Sequence, residues 1–125
     1  GASVHIASPP TLLAEDLAEK GAILHTNLKE AVANSDFIMV LRIQYERLKE
    51  SEILSKEEYI SNFQLNHSIL DLAGGEVKVM HPGPVNRDLE ITSALADDKK
   101  FSLIRRQVHN GVFVRMAVLA LLLNQ

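Results

Sequence analysis

A continuous apolar run followed at once by polar side chains is the feature that most constrains how this chain folds. Residues 37–41 read FIMVL, and Arg42 follows them directly. A run of this kind is typical of a strand that is buried on both faces of a parallel sheet. Ligands of open α/β sheets bind beyond the carboxyl ends of the strands. The run therefore predicts that Arg42 lies where a guanidinium group can meet a small anion.

A second predicted strand ends in the same way. Residues 76–80 (EVKVM) lead into residues 81–84 (HPGP), in which two prolines flank Gly83. Prolines donate no backbone N–H, but their carbonyl groups and that of Gly83 remain acceptors. Carbonyl groups aimed at a neutral –NH2 would recognise an amide or a carbamoyl group. A rigid strand-to-loop turn explains the same residues equally well.

Strands and helices are predicted to alternate along the chain, which indicates a parallel sheet with right-handed crossovers. The expected fold class is α/β: a doubly wound, Rossmann-like, three-layer arrangement around about four parallel strands, ending in a long apolar helix. A single domain is predicted. The predicted strands are 2–7, 22–25, 36–41 and 76–80, and the predicted helices are 11–20, 27–33, one beginning at 55, and 97–124 with a break near 110–111. Capping boxes are expected at Asn27 with Glu30 and at Ser55 with Glu58.

Composition excludes several classes of function. The 125 residues include no cysteine, which rules out disulfide frameworks, thiolate zinc sites and cysteine nucleophiles. The net charge is −3 and no basic cluster is present, so no nucleic-acid partner is expected. No apolar run reaches the ~18 residues of a membrane span, so no membrane partner is expected. The five histidines show no metal-ligand spacing, and we expect neither a metal nor an organic cofactor.

Three side chains that follow the predicted strand 36–41 can bind a carboxylate or a phosphate. They are Arg42, Gln44 and Arg47, and they lie within six positions. A guanidinium matches such anions with two parallel hydrogen bonds. Glu46 is acceptor-only when ionised and is expected to orient an arginine. The alternative for Arg42 is a purely structural ion pair with Glu46. His81, in the second loop, is either a general base or, more commonly at a strand end, a hydrogen-bonded structural residue.

The C-terminal segment is too apolar for a helix that buries one face only. Residues 116–123 are apolar around nearly the whole circumference of a helix. A helix of this kind needs cover on all sides. We expect the segment of about 111–125 to pack on another domain or on another subunit.

Four stretches together resemble the aspartate/ornithine carbamoyltransferase family. They are residues 9–13 (PPTLL), 41–48 (LRIQYERL), 81–87 (HPGPVNR) and 110–117 (NGVFVRMA). The resemblance covers nearly the whole chain. Ornithine enzymes are expected to show a Ser-Met-Gly segment and a cysteine in the histidine–proline loop. This chain has neither, which favours aspartate as the acceptor.

The resemblance implies a carbamoyl transfer from carbamoyl phosphate to the amine of L-aspartate, a step of pyrimidine biosynthesis. It implies that Arg42 and Gln44 bind aspartate, that Gly83 and Pro84 offer carbonyl groups to the carbamoyl –NH2, and that Glu46, Arg47 and His81 support them. Family members have two α/β domains, form trimers, and need no cofactor. This chain would be most of the aspartate-binding domain, expected to be cytoplasmic.

The resemblance also implies that the carbamoyl-phosphate domain lies outside this sequence. The 125 residues alone are then expected to be inactive, and no catalytic residue is assigned within them. Two alternatives remain open: a non-catalytic binding or assembly module of the same fold, and a transcarbamylase for another amino acid.

Overall fold

Parallel strands and flanking helices make this an α/β fold. A computed structural model describes residues 1–48 and 54–123. In this part of the chain, β1 (His5–Ala7) pairs in parallel with β2 (Ile23–His25). In the same way, β3 (Phe37–Met39) pairs in parallel with β4 (Lys78–Met80). The four strands lie within the four predicted segments.

The expected single sheet of about four strands is not formed by these strands. Hydrogen bonds between the described strands join them as two separate pairs, β1 with β2 and β3 with β4. The second edge of β4 is occupied instead by residues 101–103. Val79 donates its N–H to Phe101 O at 2.9 Å and accepts from Leu103 N at 2.8 Å. Apolar runs predict where strands are, but lateral pairing depends on such contacts between residues far apart in sequence.

Six α-helices are present in the described residues. They are α1 (Asp16–Glu19), α2 (Leu28–Val32), α3 (Lys56–Phe63), α4 (His67–Leu70), α5 (Ser93–Ala96) and α6 (Ile104–Leu123). Short 3-10 turns occur at Pro10–Leu12, Tyr45–Arg47 and Asp71–Ala73.

The predicted helix over 11–20 is wrong in extent. The structure has the 3-10 turn Pro10–Leu12, an extended Leu13 with φ −78° and ψ 117°, and then only the single turn of α1. The extended Leu13 interrupts the helical hydrogen bonding. Gly21 ends the helical region as predicted, with φ +90°, a conformation that glycine adopts without a steric penalty.

One of the two predicted capping boxes forms. Ser55 Oγ accepts from Glu58 N at 3.1 Å, and Glu58 Oε2 accepts from Ser55 N at 3.3 Å. Asn27 caps α2 by accepting from Lys29 N, but Glu30 bonds to the Asn27 side-chain amide and not to its backbone.

The helix α6 is shorter than predicted at its start and has no break in its middle. It begins at Ile104, because residues 101–103 lie alongside β4, and it continues through Asn110 and Gly111. A glycine inside a helix costs only about 1 kcal/mol, which the nineteen other residues of this helix offset. In the described residues no helix is both long and apolar enough to cross a membrane.

The hydrophobic core lies around β4. Val77 and Val79 are at most 2% exposed and pack with residues of α2, α4, α5 and the start of α6. The remaining buried members of this core are Val32, Leu65, Leu70, Ala73, Ile91, Leu95, Ala96 and Ile104. The site described next therefore begins at the end of the best-buried strand.

Candidate functional site

The two loops predicted to carry function leave the same edge of one strand pair. β3 and β4 run parallel and side by side, and Val40 N donates to Met80 O at 2.9 Å just beyond the β3 ladder. The segment with Arg42 follows β3, and the loop that begins at His81 follows β4. Parallel neighbours bring their carboxyl ends to one edge, so these two segments start next to each other.

Arg42 forms a short ion pair with Glu46. Its Nη2 donates to Glu46 Oε1 at 2.6 Å, and the Arg42 side chain is 29% exposed. The 3-10 turn Tyr45–Arg47 brings the glutamate back toward the arginine. A backbone hydrogen bond at Glu46, then its bond to Arg42 and the charges of Arg42 and Arg47, hold the pKa of the Glu46 carboxyl below its usual value. The pair holds a guanidinium in a defined direction at the rim of the sheet.

The other two predicted anion-binding side chains are less constrained. Gln44 is half-buried at the start of the 3-10 turn and makes no side-chain capping bond there. Arg47 is exposed at the end of the same turn. Both residues lie beside Arg42 along the chain, and within residues 1–48 and 54–123 no hydrogen bond or ion pair fixes the direction of either side chain.

An open groove of about 540 Å³ joins the two loops. Arg42, Glu46 and Tyr45 line it on one side, and Asn86 and Asp88 line it on the other. Its remaining lining residues are Ile43, Lys56, Ile60, Arg87 and Leu89. Gln44, Arg47, His81, Gly83 and Pro84 are not among the lining residues, so the groove gathers only part of the predicted site.

One hydrogen bond connects the two loops directly. Asn86 Nδ2 donates to Ile43 O at 3.2 Å. Asn86 is two residues beyond Pro84, and Ile43 is the neighbour of Arg42. The predicted aspartate-binding and carbamoyl-binding segments are therefore tied together in the folded chain.

The loop after β4 is built around a buried histidine. His81 is 0% exposed. Its backbone N–H donates to Gln107 Oε1 at 2.8 Å, and its ring Nδ1 accepts from Gly83 N at 2.9 Å. Because Nδ1 accepts, the neutral ring carries its proton on Nε2, which faces Glu90 Oε1 at 3.3 Å. Both ring nitrogens are engaged within the protein, which fits the hydrogen-bonded structural alternative. The Gly83–Pro84 peptide bond is cis.

The structure also reveals polar residues that the sequence analysis did not single out for this site. Glu90 is 1% exposed and accepts from Asn86 N at 2.6 Å as well as from His81. Gln107, near the start of α6, bridges the His81 backbone and Met39 Sδ. Glu90 stands between Leu89 and Ile91 in the sequence, and neither its burial nor its partners could be identified from that pattern.

Arg87 is held away from the role of a free anion-binding group. Its two terminal nitrogens donate to Asp97 at 2.7 and 3.0 Å, and this lowers the pKa of the Asp97 carboxyl. Among the residues described, no group of three or more histidine, aspartate or glutamate side chains could hold a metal ion.

Comparisons with known proteins agree with these features. The family described as "Aspartate/ornithine carbamoyltransferase, Asp/Orn binding domain" matches residues 1–122. The aspartate carbamoyltransferase catalytic subunit of Thermosynechococcus vestitus is 50% identical over 98% of this chain and 37% of its own length. The chain thus spans less than two fifths of the length of that relative.

Solved structures share the fold. An aspartate transcarbamoylase from Trypanosoma cruzi, in complex with carbamoyl phosphate, superposes with a TM-score of 0.73 at 28% identity, over 94% of this chain and 39% of that one. An ornithine carbamoyltransferase from Pyrococcus furiosus gives a TM-score of 0.75 at 25% identity, over 96% of this chain and 41% of that one. The fold, the paired loops and the match over residues 1–122 lead to one conclusion: this chain belongs to the aspartate/ornithine carbamoyltransferase family, as its Asp/Orn-binding domain.

Proposed function

We propose that this chain is the aspartate-binding part of an aspartate carbamoyltransferase. The amine of L-aspartate attacks the carbonyl carbon of carbamoyl phosphate, forming a C–N bond and a tetrahedral intermediate. The C–O bond to phosphate then breaks, the amine loses its proton, and N-carbamoyl-L-aspartate and phosphate leave. This reaction belongs to pyrimidine biosynthesis, and we expect it in the cytoplasm.

The observation that carries the proposal is the convergence of two loops at one sheet edge. Arg42 follows β3, the His81 loop follows β4, and Asn86 Nδ2 bonds to Ile43 O at 3.2 Å. A bimolecular reaction between two anions gains most from holding both reactants in place. Two adjacent loops, one with a guanidinium and one with the Gly83 and Pro84 carbonyl groups, suit that task.

In this proposal Arg42 binds a carboxylate of aspartate, and Gln44 places the substrate beside it. The Glu46 pair at 2.6 Å supports this role, since it directs the arginine without removing it from solvent. Arg47 supports the turn. On binding, Arg42 would give up part of its hydrogen bonding to Glu46 and donate to the aspartate carboxylate instead. Charge-assisted hydrogen bonds to the two carboxylates are of similar strength, so this exchange is possible.

On the other loop, Gly83 and Pro84 offer their carbonyl oxygens to the carbamoyl –NH2. Gly83 is half-buried, Pro84 is exposed, and His81 beneath them is fully buried. A buried His81 next to the partly exposed Gly83 and Pro84 favours a rigid loop that a substrate can reach. His81 acts here as a support for the loop.

The remaining parts of the site are proposed to come from a carbamoyl-phosphate domain. Aspartate carbamoyltransferase relatives are more than twice as long as this chain. For example, the chain covers 37% of the Thermosynechococcus vestitus protein. We propose that the segment of about 111–125 packs on that domain; residues 124 and 125 lie outside the described residues. We also propose that the complete protein is a homotrimer, as the family resemblance implies.

The test is a carbamoyl-transfer assay of the complete protein with carbamoyl phosphate and a panel of amine acceptors. We expect carbamoyl aspartate as the product with aspartate, no product with ornithine, and no activity from these 125 residues alone. Transfer to ornithine in preference to aspartate would identify a different transcarbamylase. A complete protein that binds ligands but transfers no carbamoyl group would identify a binding module.

A further inference from the structure

A buried carboxyl group beside the two loops has no role in the function proposed above. Glu90 is 1% exposed, and its Oε2 is buried without a hydrogen-bond partner in the described structure. Burying a carboxyl group with one oxygen unsatisfied costs stability, whereas an apolar side chain of similar size would pack there without that cost. The position of Glu90 therefore calls for a contribution that offsets this cost.

The other oxygen of Glu90 accepts two hydrogen bonds, both from the loop that follows β4. Its Oε1 lies 3.3 Å from His81 Nε2 and accepts from Asn86 N at 2.6 Å. His81 in turn accepts the Gly83 N–H at 2.9 Å. Asn86 in turn donates its side chain to Ile43 O at 3.2 Å. One carboxyl oxygen thus stands at the start of two short chains of hydrogen bonds.

The backbone around Glu90 is itself fixed to the core. Its carbonyl accepts from Leu65 N at 2.9 Å, and Thr92 N donates to Leu65 O at 3.0 Å. Leu65 and Ile91 are at most 1% exposed. The carboxyl group therefore projects from a rigid point toward the more exposed loop.

A neighbouring tyrosine reports the same buried environment. Burial raises the pKa of Tyr59 to about 12, and the charge of Glu90 contributes to the rise. Tyr59 lies on α3, so this helix also faces the carboxyl group. The environment is one in which hydrogen bonds to a carboxyl group are strong.

We propose that Glu90 is a positioning residue that sets the separation of the two substrate loops, by holding Gly83 through His81 and Ile43 through Asn86. This inference rests on the proposed function, because the loops it positions are the ones assigned to carbamoyl phosphate and aspartate. Glu90 does not need to touch either substrate. Its effect is on how closely the amine and the carbonyl carbon are brought together.

The kinetic test uses the complete protein with Glu90→Ala, Glu90→Gln and, as a control, Leu95→Ala. Leu95 is 0% exposed in the core on α5, so its truncation destabilises the domain without removing a bond to either loop. We expect Glu90→Ala to lower kcat about 100-fold, the effect of a misplacement of about 1 Å, with smaller changes in both KM values. We expect Glu90→Gln to recover most of kcat, since its carbonyl oxygen still accepts both bonds.

A folded Glu90→Ala protein with wild-type kcat would overturn the proposal. So would an equal loss of kcat in Leu95→Ala at an equal unfolding temperature, because that would be a general effect of instability.

A second measurement separates this inference from the proposed function. Hydrogen exchange of the Gly83 and Asn86 amides reports the two chains of hydrogen bonds whether or not the protein transfers a carbamoyl group. In Glu90→Ala we expect both amides to exchange about tenfold faster, the change that the loss of one hydrogen bond predicts, with no such change in Leu95→Ala. If the complete protein lacks carbamoyl transfer but shows this exchange pattern, the function is wrong and the anchoring role of Glu90 stands. Unchanged exchange in Glu90→Ala would refute the anchoring role itself.

Discussion

Arg42 shows how a single side chain is prepared for a ligand. Its guanidinium is 2.6 Å from Glu46 Oε1 while 29% of the side chain stays exposed. An exposed ion pair of this kind adds little to stability, with a typical contribution of about 0–1 kcal/mol. Its more important consequence is direction, because a planar guanidinium held on one side presents its other N–H groups along a known line.

The first prediction concerns this arginine. In the complete protein, Arg42→Ala should raise the aspartate KM by a factor of about 10 to 150, which corresponds to one charge-assisted bond of ~1.5–3 kcal/mol. Steady-state kinetics with aspartate as the varied substrate measure it. Lys20→Ala is the charge-matched control, since Lys20 is an exposed cation paired with Asp16. Unchanged aspartate kinetics in Arg42→Ala would remove this residue from the site.

The second prediction concerns the pH dependence of stability on the alkaline side. The pKa of Tyr59 is about 12 in the folded chain, against an ordinary value of 10. Between these values the unfolded chain releases the proton while the folded chain keeps it. Stability should therefore be intact below about pH 10 and fall above it, by at most about 1.4 kcal/mol per pH unit.

Denaturant unfolding of the chain at several pH values from 9 to 12 checks this expectation. Tyr59→Phe should remove the part of the loss that comes from this phenol. The chain has two tyrosines, and burial also raises the pKa of Tyr45, so Tyr45→Phe is the matched control. An identical alkaline profile in wild type and Tyr59→Phe would contradict the assignment.

Among the secondary-structure elements, α6 differs from the sequence prediction in having no break in its middle. Asn110 and Gly111 predicted a break, yet the helix runs unbroken from Ile104 to Leu123. A Cβ at Gly111 would meet only Arg115 Nη2, at 3.9 Å, and its φ is not in the left-handed region. The glycine is therefore tolerated at a position where the fold does not need one.

The third prediction follows from this geometry. Gly111→Ala should stabilise the chain by about 0.8–1 kcal/mol, the difference in helix propensity between the two residues. Thermal unfolding of the 125-residue chain measures it. Gly83→Ala is the contrasting control: Gly83 has φ +74°, and its Cβ would lie 3.4 Å from Val108 Cγ2, so this change should destabilise. Destabilisation of the chain by Gly111→Ala would show that helix propensity does not govern position 111.

For the molecule as a whole, the exposed apolar surface of α6 is the dominant feature. Leu119, Leu121 and Leu122 are 57%, 72% and 62% exposed. Further large apolar side chains of this helix are also exposed: Val108, Val112, Phe113, Val114, Met116, Val118 and Leu123. Contiguous apolar surface on this scale suits the proposed packing of this helix on another domain.

The fourth prediction tests what this surface does. Leu119→Gln with Leu122→Gln should reduce self-association of the 125-residue chain and weaken its binding to a carbamoyl-phosphate domain supplied separately. The free energy of unfolding should change by less than about 0.5 kcal/mol per substitution, as for exposed positions. Sedimentation and denaturant unfolding measure the two effects. Leu65→Ala in the core, at an expected cost of about 2–5 kcal/mol, is the reference for a structural leucine. Unaltered association would contradict the docking role.

The positions of the two loops could be predicted because their signals are local. The apolar run before Arg42 and the prolines around Gly83 each identify a strand end and the loop after it. The buried support could not be predicted, since Glu90, Gln107 and His81 come together only through contacts between residues up to 26 positions apart. The groove likewise contains Lys56 and Asn86, which no sequence pattern had joined to Arg42.

The sequence by itself determined the class of fold, the positions of the strands, the Ser55 capping box and the places of the two loops that follow β3 and β4. These depend on residues that are neighbours along the chain, where periodicity, glycine and proline act directly on the backbone. Only the tertiary structure decided the pairing of strands as β1 with β2 and β3 with β4, the unbroken course of α6, and the hydrogen bonds of Glu90 with His81 and Asn86. These depend on hydrogen bonds and burial that involve residues distant in sequence. Local sequence patterns do not predict the energies of such contacts.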